Sequence, residues 1–304
     1  MKGRFALSLA VAGLITVAPA AGAKLLTKAD FAAAMAPLPH GALVYGELAS
    51  GKIWRVSKAG HRAKHPLTRI RHINSEGLRG LLGLAVDKRG RIFADWTGTD
   101  AMIHVAKVWP GRRRSVWSPG RDGQEANGGR LAFAADGRLI VTVGDRDHSV
   151  TVGPDGPLGP AFPGFSGGIY SLDPNAPPSQ TPQLLASGFF NPFGLAVTPS
   201  GAIWATDNAI TPDTDLITRV HDGSAEPFAY IAHTAPSGLA AIDDNTLAVC
   251  GFVSDRLDRY IVAADGTAQL SGPPIAPSCA IGVIRLSDGR LAYATESAIF
   301  TIRP

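Results

Sequence analysis

An all-β chain wound into a six-bladed β-propeller is what this sequence predicts, and three observations carry that expectation. A strand motif recurs about every 40 to 50 residues, each copy is cut by a tight turn, and the strands follow one another too closely for helical crossovers. The 35 Gly and 23 Pro residues are scattered between apolar runs rather than pooled, which is the turn punctuation of a folded β domain and not the composition of a disordered one.

The first strand of the repeat reads Gly83-Leu-Ala-Val-Asp87, then Gly129-Arg-Leu-Ala-Phe133, Gly194-Leu-Ala-Val-Thr198, Gly238-Leu-Ala-Ala-Ile242 and Gly282-Val-Ile-Arg-Leu286. A Gly- or Asn-containing turn leads to a second strand beginning at Ile92, Leu139, Ile203, Leu247 and Leu291. A third follows, at Ile103-His-Val-Ala106, Gly168-Ile-Tyr-Ser-Leu172, Leu216-Ile-Thr-Arg-Val220, Arg256-Leu-Asp-Arg-Tyr260 and Ile299-Phe-Thr-Ile-Arg303. Leu43-Val-Tyr-Gly46 and Lys52-Ile-Trp-Arg-Val56 supply the second and third strands of a sixth unit. For its first strand, Phe31 to Met35 either begins the blade or forms a short helix, and closure of the ring by strands from both termini stays open. Short antiparallel strands leave a sandwich, a barrel or a propeller, and the sustained period selects the propeller, where repetition is radial.

The amino terminus sets the compartment. Lys2 and Arg4 precede an apolar run from Phe5 to about Pro19 that ends at Ala21-Gly22-Ala23, which is the order of a cleaved signal peptide over residues 1–23. Cleavage near Ala23 implies a periplasmic or secreted protein, with one domain over 24–304. The apolar run is short for a membrane span. Removing Lys2 and Arg4 leaves 27 basic against 25 acidic side chains, a balance that does not suit a nucleic-acid partner. Basic residues do cluster at Lys58 to His72 and at Arg112-Arg113-Arg114, without interleaved aromatics, and read as solvated loop faces.

In an antiparallel blade the start of the first strand and the end of the second lie on one face. Second-strand ends contribute Glu47, Asp95, Asp145, Asp207, Cys250 and Glu296; first-strand starts contribute Arg79, Asn127, Asn191, Ser237 and Cys279. Five carboxylates would then ring one mouth, where oxygen ligands suit Ca²⁺ or sugar hydroxyls, with Asp145 and Asp207 as the metal candidates and Asp145 as the catalytic one. The plainer alternative is that each carboxylate caps turn amides in its own blade. Cys250 and Cys279 fall on the same face of neighbouring blades, and in an exported chain they read as a disulfide. The Pro- and Gly-rich connection from Arg146 to about Phe165 leaves from the same mouth and reads as a binding loop or lid. Gly164-Phe165-Ser166-Gly167-Gly168 fits a nucleophile-elbow pattern only in letters, since a strand and not a helix follows it.

Taken in order, Gly80-Leu-Leu-Gly-Leu-Ala-Val-Asp87, Gly128-Gly-Arg-Leu-Ala-Phe133, Val143-Gly-Asp-Arg146, Gly168-Ile-Tyr-Ser-Leu-Asp173, Asn191-Pro-Phe-Gly-Leu-Ala196 and Pro236-Ser-Gly-Leu239 resemble the glucose/sorbosone dehydrogenase family. The resemblance implies a six-bladed propeller whose funnel oxidises the anomeric carbon of a sugar with pyrroloquinoline quinone (PQQ) and Ca²⁺, a His as base, and Arg and Lys residues on the quinone. Where the family's His stands, this chain has Ala126 beside Asn127; Phe190 takes the place of the Arg, Val253 that of a Lys, and Cys279-Ala-Ile-Gly282 that of an R-x-R-D segment. A tricarboxylate without those cations would be held with its charge uncompensated, so PQQ is not the expected cofactor. The residues support a sugar dehydrogenase-like propeller degenerate in PQQ catalysis, binding a carbohydrate, another small ligand or a protein at a mouth formed by Arg79, Asp95, Asn127, Arg146, Asn191, Asp207, Ser237 and Glu296. An active quinone-dependent aldose dehydrogenase and a metal-dependent lactonase of the gluconolactonase type, using Asp145, Asp207 and Asn191, are the alternatives.

Overall fold

A computed structural model describes residues 22–304, apart from 124, 147–151, 154–155, 158–164, 209–212, 222–223 and 265. Of the signal segment only Gly22 and Ala23 fall within it, and most of the expected lid over 146–165 lies outside the described residues; there, Val152–Gly153 pairs with Gly156–Pro157.

Six four-stranded antiparallel sheets form the blades. Blade 1 comprises Ala34–Pro37, Leu43–Gly46, Lys52–Val56 and Thr68–Arg69; blade 2 comprises Leu81–Val86, Ile92–Thr97, Met102–Trp109 and Arg114–Arg121. Blade 3 runs through Gly128–Phe133, Leu139–Val143, Gly168–Leu172 and Gln183–Ser187, and blade 4 through Gly194–Val197, Ile203–Asp207, Thr214–His221 and Ser224–Ala232. Blade 5 holds Pro236–Ala241, Thr246–Gly251, Arg256–Val262 and Ala268–Leu270. Blade 6 takes Gly282–Arg285, Leu291–Ala294 and Ala298–Ile302 from the end of the chain and its outer strand, Lys24–Lys28, from the beginning. The register Lys24↔Thr301 to Lys28↔Ala298 therefore closes the ring with strands from both termini. The blade 1 alternative resolves as strand: Ala34 begins it, after a left-handed turn at Phe31 (φ 43°).

Each blade packs both faces against neighbours, and this is why the inner strands read as continuous apolar runs. Leu139 and Val141 point to the cluster shared with blade 2, while Ile140 points to the one shared with blade 4. Among the described residues six apolar clusters occur, one at each blade–blade boundary. The recurrent first-strand glycine has a steric cause. A Cβ on Gly83 would overlap the carbonyl oxygen of Gly129, and one on Gly238 would stand 2.7 Å from the Cα of Gly282, because neighbouring first strands converge on the axis.

One side chain occupies that convergence. Arg130, in the first strand of blade 3, donates Nε to the carbonyl of Phe193 (3.0 Å), one terminal nitrogen to those of Ala33 and Leu82 (3.0 Å for Leu82), and the other to those of Ser237 and Ile281. These acceptors stand at the inner strands of the other five blades. The guanidinium also lies 4.1 Å from the Phe193 ring centroid and faces an axial cavity of about 50 Å³. Cys250 and Cys279 are joined as a disulfide between blade 5 and the approach to blade 6, with their Cα atoms 5.3 Å apart. The link spans 29 residues, a loop for which chain entropy alone gives about 3.5 kcal/mol.

Arg130→Met keeps the stem and removes every donor. Chemical denaturation should register a loss of about 3–5 kcal/mol in unfolding free energy, the cost of stranding buried partners; a loss under about 1 kcal/mol would show that the axis does not depend on the guanidinium.

Candidate functional site

Second-strand ends and first-strand starts meet on one face through backbone hydrogen bonds: Leu81 N to Leu48 O (2.9 Å), Asn208 N to Asn191 O (3.2 Å), Phe252 N to Ala235 O (2.9 Å) and Phe31 N to Glu296 O (2.8 Å). Asp145 N likewise donates to Phe190 O. Around this mouth the polar side chains divide into three groups by what they touch.

Three residues expected in the funnel are engaged in holding loops together. Arg79 donates Nε to Asp122 in an ion pair whose members are 16% and 7% exposed. Asn127 accepts from Gly123 N (2.9 Å) and donates to Gly123 O (3.0 Å) and Leu78 O (3.3 Å), clasping the 123–127 turn to the approach to blade 2. Arg146 is fully buried, and its terminal nitrogens donate to the carbonyls of Arg121, Pro119 (3.1 Å) and Phe165. Phe165 packs on Trp117 and Tyr170, so the approach to the 147–164 connection is anchored at both ends.

The carboxylates are not equivalent. Glu47 is buried, accepts from Trp54 Nε1 (2.9 Å) and Ser50 Oγ, and so serves its own blade. Asp95 lies deep beside the axis, its Oδ2 without a hydrogen-bond partner; burial pushes its carboxyl up to about 8, against the pull of the Arg130 charge. Arg130 in turn is lowered to about 10 by the same desolvation. Glu296 is exposed, and Ser237 donates its hydroxyl to Cys250 O (3.2 Å).

The remaining group forms a polar wall between blades 3, 4 and 5. Asp207 accepts the backbone N–H of Asn191 (2.7 Å) and of Phe190 (2.9 Å), while Asn191 Oδ1 accepts from Gly128 N (3.1 Å). Burial, more than the nearby charges of Asp215 and Asp145, drives the Asp207 carboxyl up to about 7. Ser166 donates to Asp145 Oδ1 (3.2 Å). Of the expected metal pair, Asp207 has both oxygens committed to backbone amides, and no cluster of three or more His, Cys, Asp or Glu with metal-holding geometry occurs among the described residues.

Sequence reasoning missed Asp215 and His233. Asp215 opens the third strand of blade 4, is fully buried, and holds Thr234 N (2.6 Å), Ala235 N (2.9 Å) and His233 Nδ1 (3.2 Å). His233 keeps 36% of its side chain exposed. A carboxylate on Nδ1 fixes the proton there and turns Nε2 into the free acceptor. For Asp215 the signal was available, since third-strand starts share the face of second-strand ends.

The sequence matches the family described as Glucose / Sorbosone dehydrogenase over residues 30–225. No curated protein matches. Among solved structures the chain is similar to the PQQ-bound aldose sugar dehydrogenase of Streptomyces coelicolor, at 19% identity over 94% of this chain and 99% of that one, with a TM-score of 0.74. It is also similar to the soluble aldose sugar dehydrogenase of Escherichia coli in its apo form (17% identity, 93% and 99% covered, TM-score 0.75) and to a gluconolactonase from Xanthomonas campestris (17%, 93% and 89%, TM-score 0.64). No helix of the described residues is long and apolar enough to cross a membrane.

A proton held by Asp207 up to about pH 7 has a sign that can be measured. From the ordinary carboxylate value of about 4 up to that point, the folded chain binds more protons than the unfolded one, so this residue's contribution to stability falls as pH rises. Asp207→Asn should flatten the decline of unfolding free energy between about pH 4.5 and 7 by up to about 1.4 kcal/mol per pH unit; an unchanged slope in urea titrations would refute the shift.

Proposed function

The chain belongs to the glucose/sorbosone dehydrogenase family, and from that premise we propose that it is an exported, sugar dehydrogenase-like propeller that binds a carbohydrate at its mouth without the family's quinone chemistry. The observation that carries this reading is where the mouth's cations go. Arg79 is neutralised by Asp122, and Arg146 is buried among backbone carbonyls. Phe190 stands at the position the family's pattern gives to Arg, and its amide serves Asp207. A wall of Asp145, Asp207 and Asp215 is a poor seat for a tricarboxylate, because bringing that anion beside buried carboxylates adds repulsion to desolvation. PQQ therefore does not fit the residues present. Neutral polyols suit the same wall: carboxylates and Asn side chains accept and donate to hydroxyls without a charge to balance.

A second reading, hydrolysis of a sugar lactone, is favoured by the Asp215–His233 pair. A half-exposed imidazole oriented by a buried carboxylate is equipped to take a proton from water. Ca²⁺ between Asp145 and Asp207 would be the metal-assisted version of that chemistry. A protein partner at the mouth is the remaining use of such a scaffold.

Purified protein given PQQ, Ca²⁺ and glucose should reduce no dye, and a panel of mono- and oligosaccharides should include at least one that raises the melting temperature. At a hundredfold excess over Kd the gain is about 2.7 kcal/mol, or roughly 5–10 °C for a chain of this size. Dye reduction would overturn the non-catalytic reading.

In the same preparation, gluconolactone hydrolysis that persists in chelator and disappears in His233→Ala would establish the second reading. Hydrolysis lost on chelation would assign it to the metal version, and silence would dismiss both.

A further inference from the structure

The two basic runs that read as solvated loop faces come together in space. Three adjoining clefts of about 370, 400 and 360 Å³ lie along the outer edge between blades 1 and 2, and all three include Arg71 and His72 in their walls. One wall is the outer strand of blade 1 and the connection that follows it, with Arg69, Arg71 and His72; the other is blade 2, with Trp96, His104 and Arg113.

The groove is constructed rather than incidental. Trp96, 4% exposed, carries His104 stacked at 5.0 Å and the Arg113 guanidinium 5.4 Å from its ring centroid, which holds that cation against the wall. Arg69 donates Nε to Ser50 O (3.0 Å). His72 sits in the left-handed region (φ 61°), unusual for a residue with a Cβ, and its carbonyl accepts Thr99 N (2.8 Å), which pins the strained backbone at the rim. Asp100 is the sole carboxylate in the walls, and both its oxygens lie 3.1 Å from His104 Nε2. Among the described residues no ion pair engages Arg71 or Arg113. Three guanidinium groups thus face one carboxylate that is already partnered.

We propose that this groove binds a ligand carrying two or more phosphate groups, gripped between Arg69 and Arg71 on one wall and Arg113 on the other. A planar carboxylate satisfies one guanidinium fork, whereas a phosphate presents three terminal oxygens in different directions and can be held from both walls. The combined volume of the clefts and the surplus of cations accommodate more than one such group. None of the lining residues belongs to the polar wall of the mouth. A free oligophosphate and an anionic lipid headgroup share this chemistry.

Isothermal titration of the full chain with sodium tripolyphosphate at low ionic strength should give one saturable site. Arg71→Ala and Arg113→Ala should each weaken it about tenfold, and the double variant about a hundredfold. Arg112→Ala, which removes the same charge from a neighbouring exposed residue outside the clefts, should stay within about twofold. All these side chains are exposed, and unchanged melting temperatures would certify the variants as folded. No saturable binding to tripolyphosphate or to vesicles containing cardiolipin, whose headgroup carries two phosphates, an Arg112→Ala effect equal to that of Arg71→Ala, or orthophosphate binding as tightly as tripolyphosphate would overturn the proposal. Sedimentation with vesicles, lost in the double variant and without tripolyphosphate binding, would assign the headgroup; tripolyphosphate binding alone would assign the free ligand.

Discussion

Six sheets converging on one axis create a problem that a single guanidinium solves. The first strands approach so closely that a side chain at Gly83 or Gly238 would collide with the backbone of the next blade, and their innermost carbonyls point into a space with little room for water. Arg130 satisfies carbonyls from five blades while belonging to the sixth. Its planar fork is suited to this, since five N–H donors leave in fixed directions where an ammonium offers three from one point. The cost is a desolvated positive charge, and Asp95 stands close enough to act on it through space although burial favours the neutral form of that acid. The depth of Asp95 follows from that role: the carboxylate belongs to the axis more than to the mouth.

Radial architecture was legible in the sequence because the constraint that makes it repeats. The first-strand glycines and the doubly apolar second strands are consequences of convergence and two-faced packing, and both print directly as letters. Outer strands were not legible. Thr68–Arg69 has only two residues, Ala268–Leu270 three, and Arg114–Arg121 opens on an Arg run that looks like loop. Their pairing is decided by the third strand beside them rather than by their own pattern. The mouth was legible as a list and not as a set of roles. Position within the repeat groups Arg79, Asn127, Arg146 and Asp207 by face, but which of them faces inward depends on partners such as Asp122, Pro119 and Phe190, each distant from it in sequence. Asp215 escaped because the third-strand starts were left out of the list, and His233 because it stands just past the outer strand of blade 4, a position the list did not include.

The scaffold and its chemistry separate cleanly here. Glycines, the axial arginine and the Asn191–Gly128 bond belong to the construction of the ring and are present. The cationic side chains Arg79 and Arg146 are consumed by internal bonds, to Asp122 and to backbone carbonyls. Between blades 3, 4 and 5 the mouth presents a set of acids, of which burial pushes Asp207 up to about 7. The anion-seeking charge of the molecule lies elsewhere, on the flank between blades 1 and 2.

Blade 6 is the seam of the ring, stitched from the two ends of the chain in antiparallel register with Lys24 opposite Thr301. Because both ends emerge at the same edge of that pair, tension applied between them loads the ladder one rung at a time and peels it. Traction on one end against the body of the molecule would instead load several rungs together. The protein is therefore weakest toward a force that separates its own termini, and the first thing such a force releases is the circular closure itself.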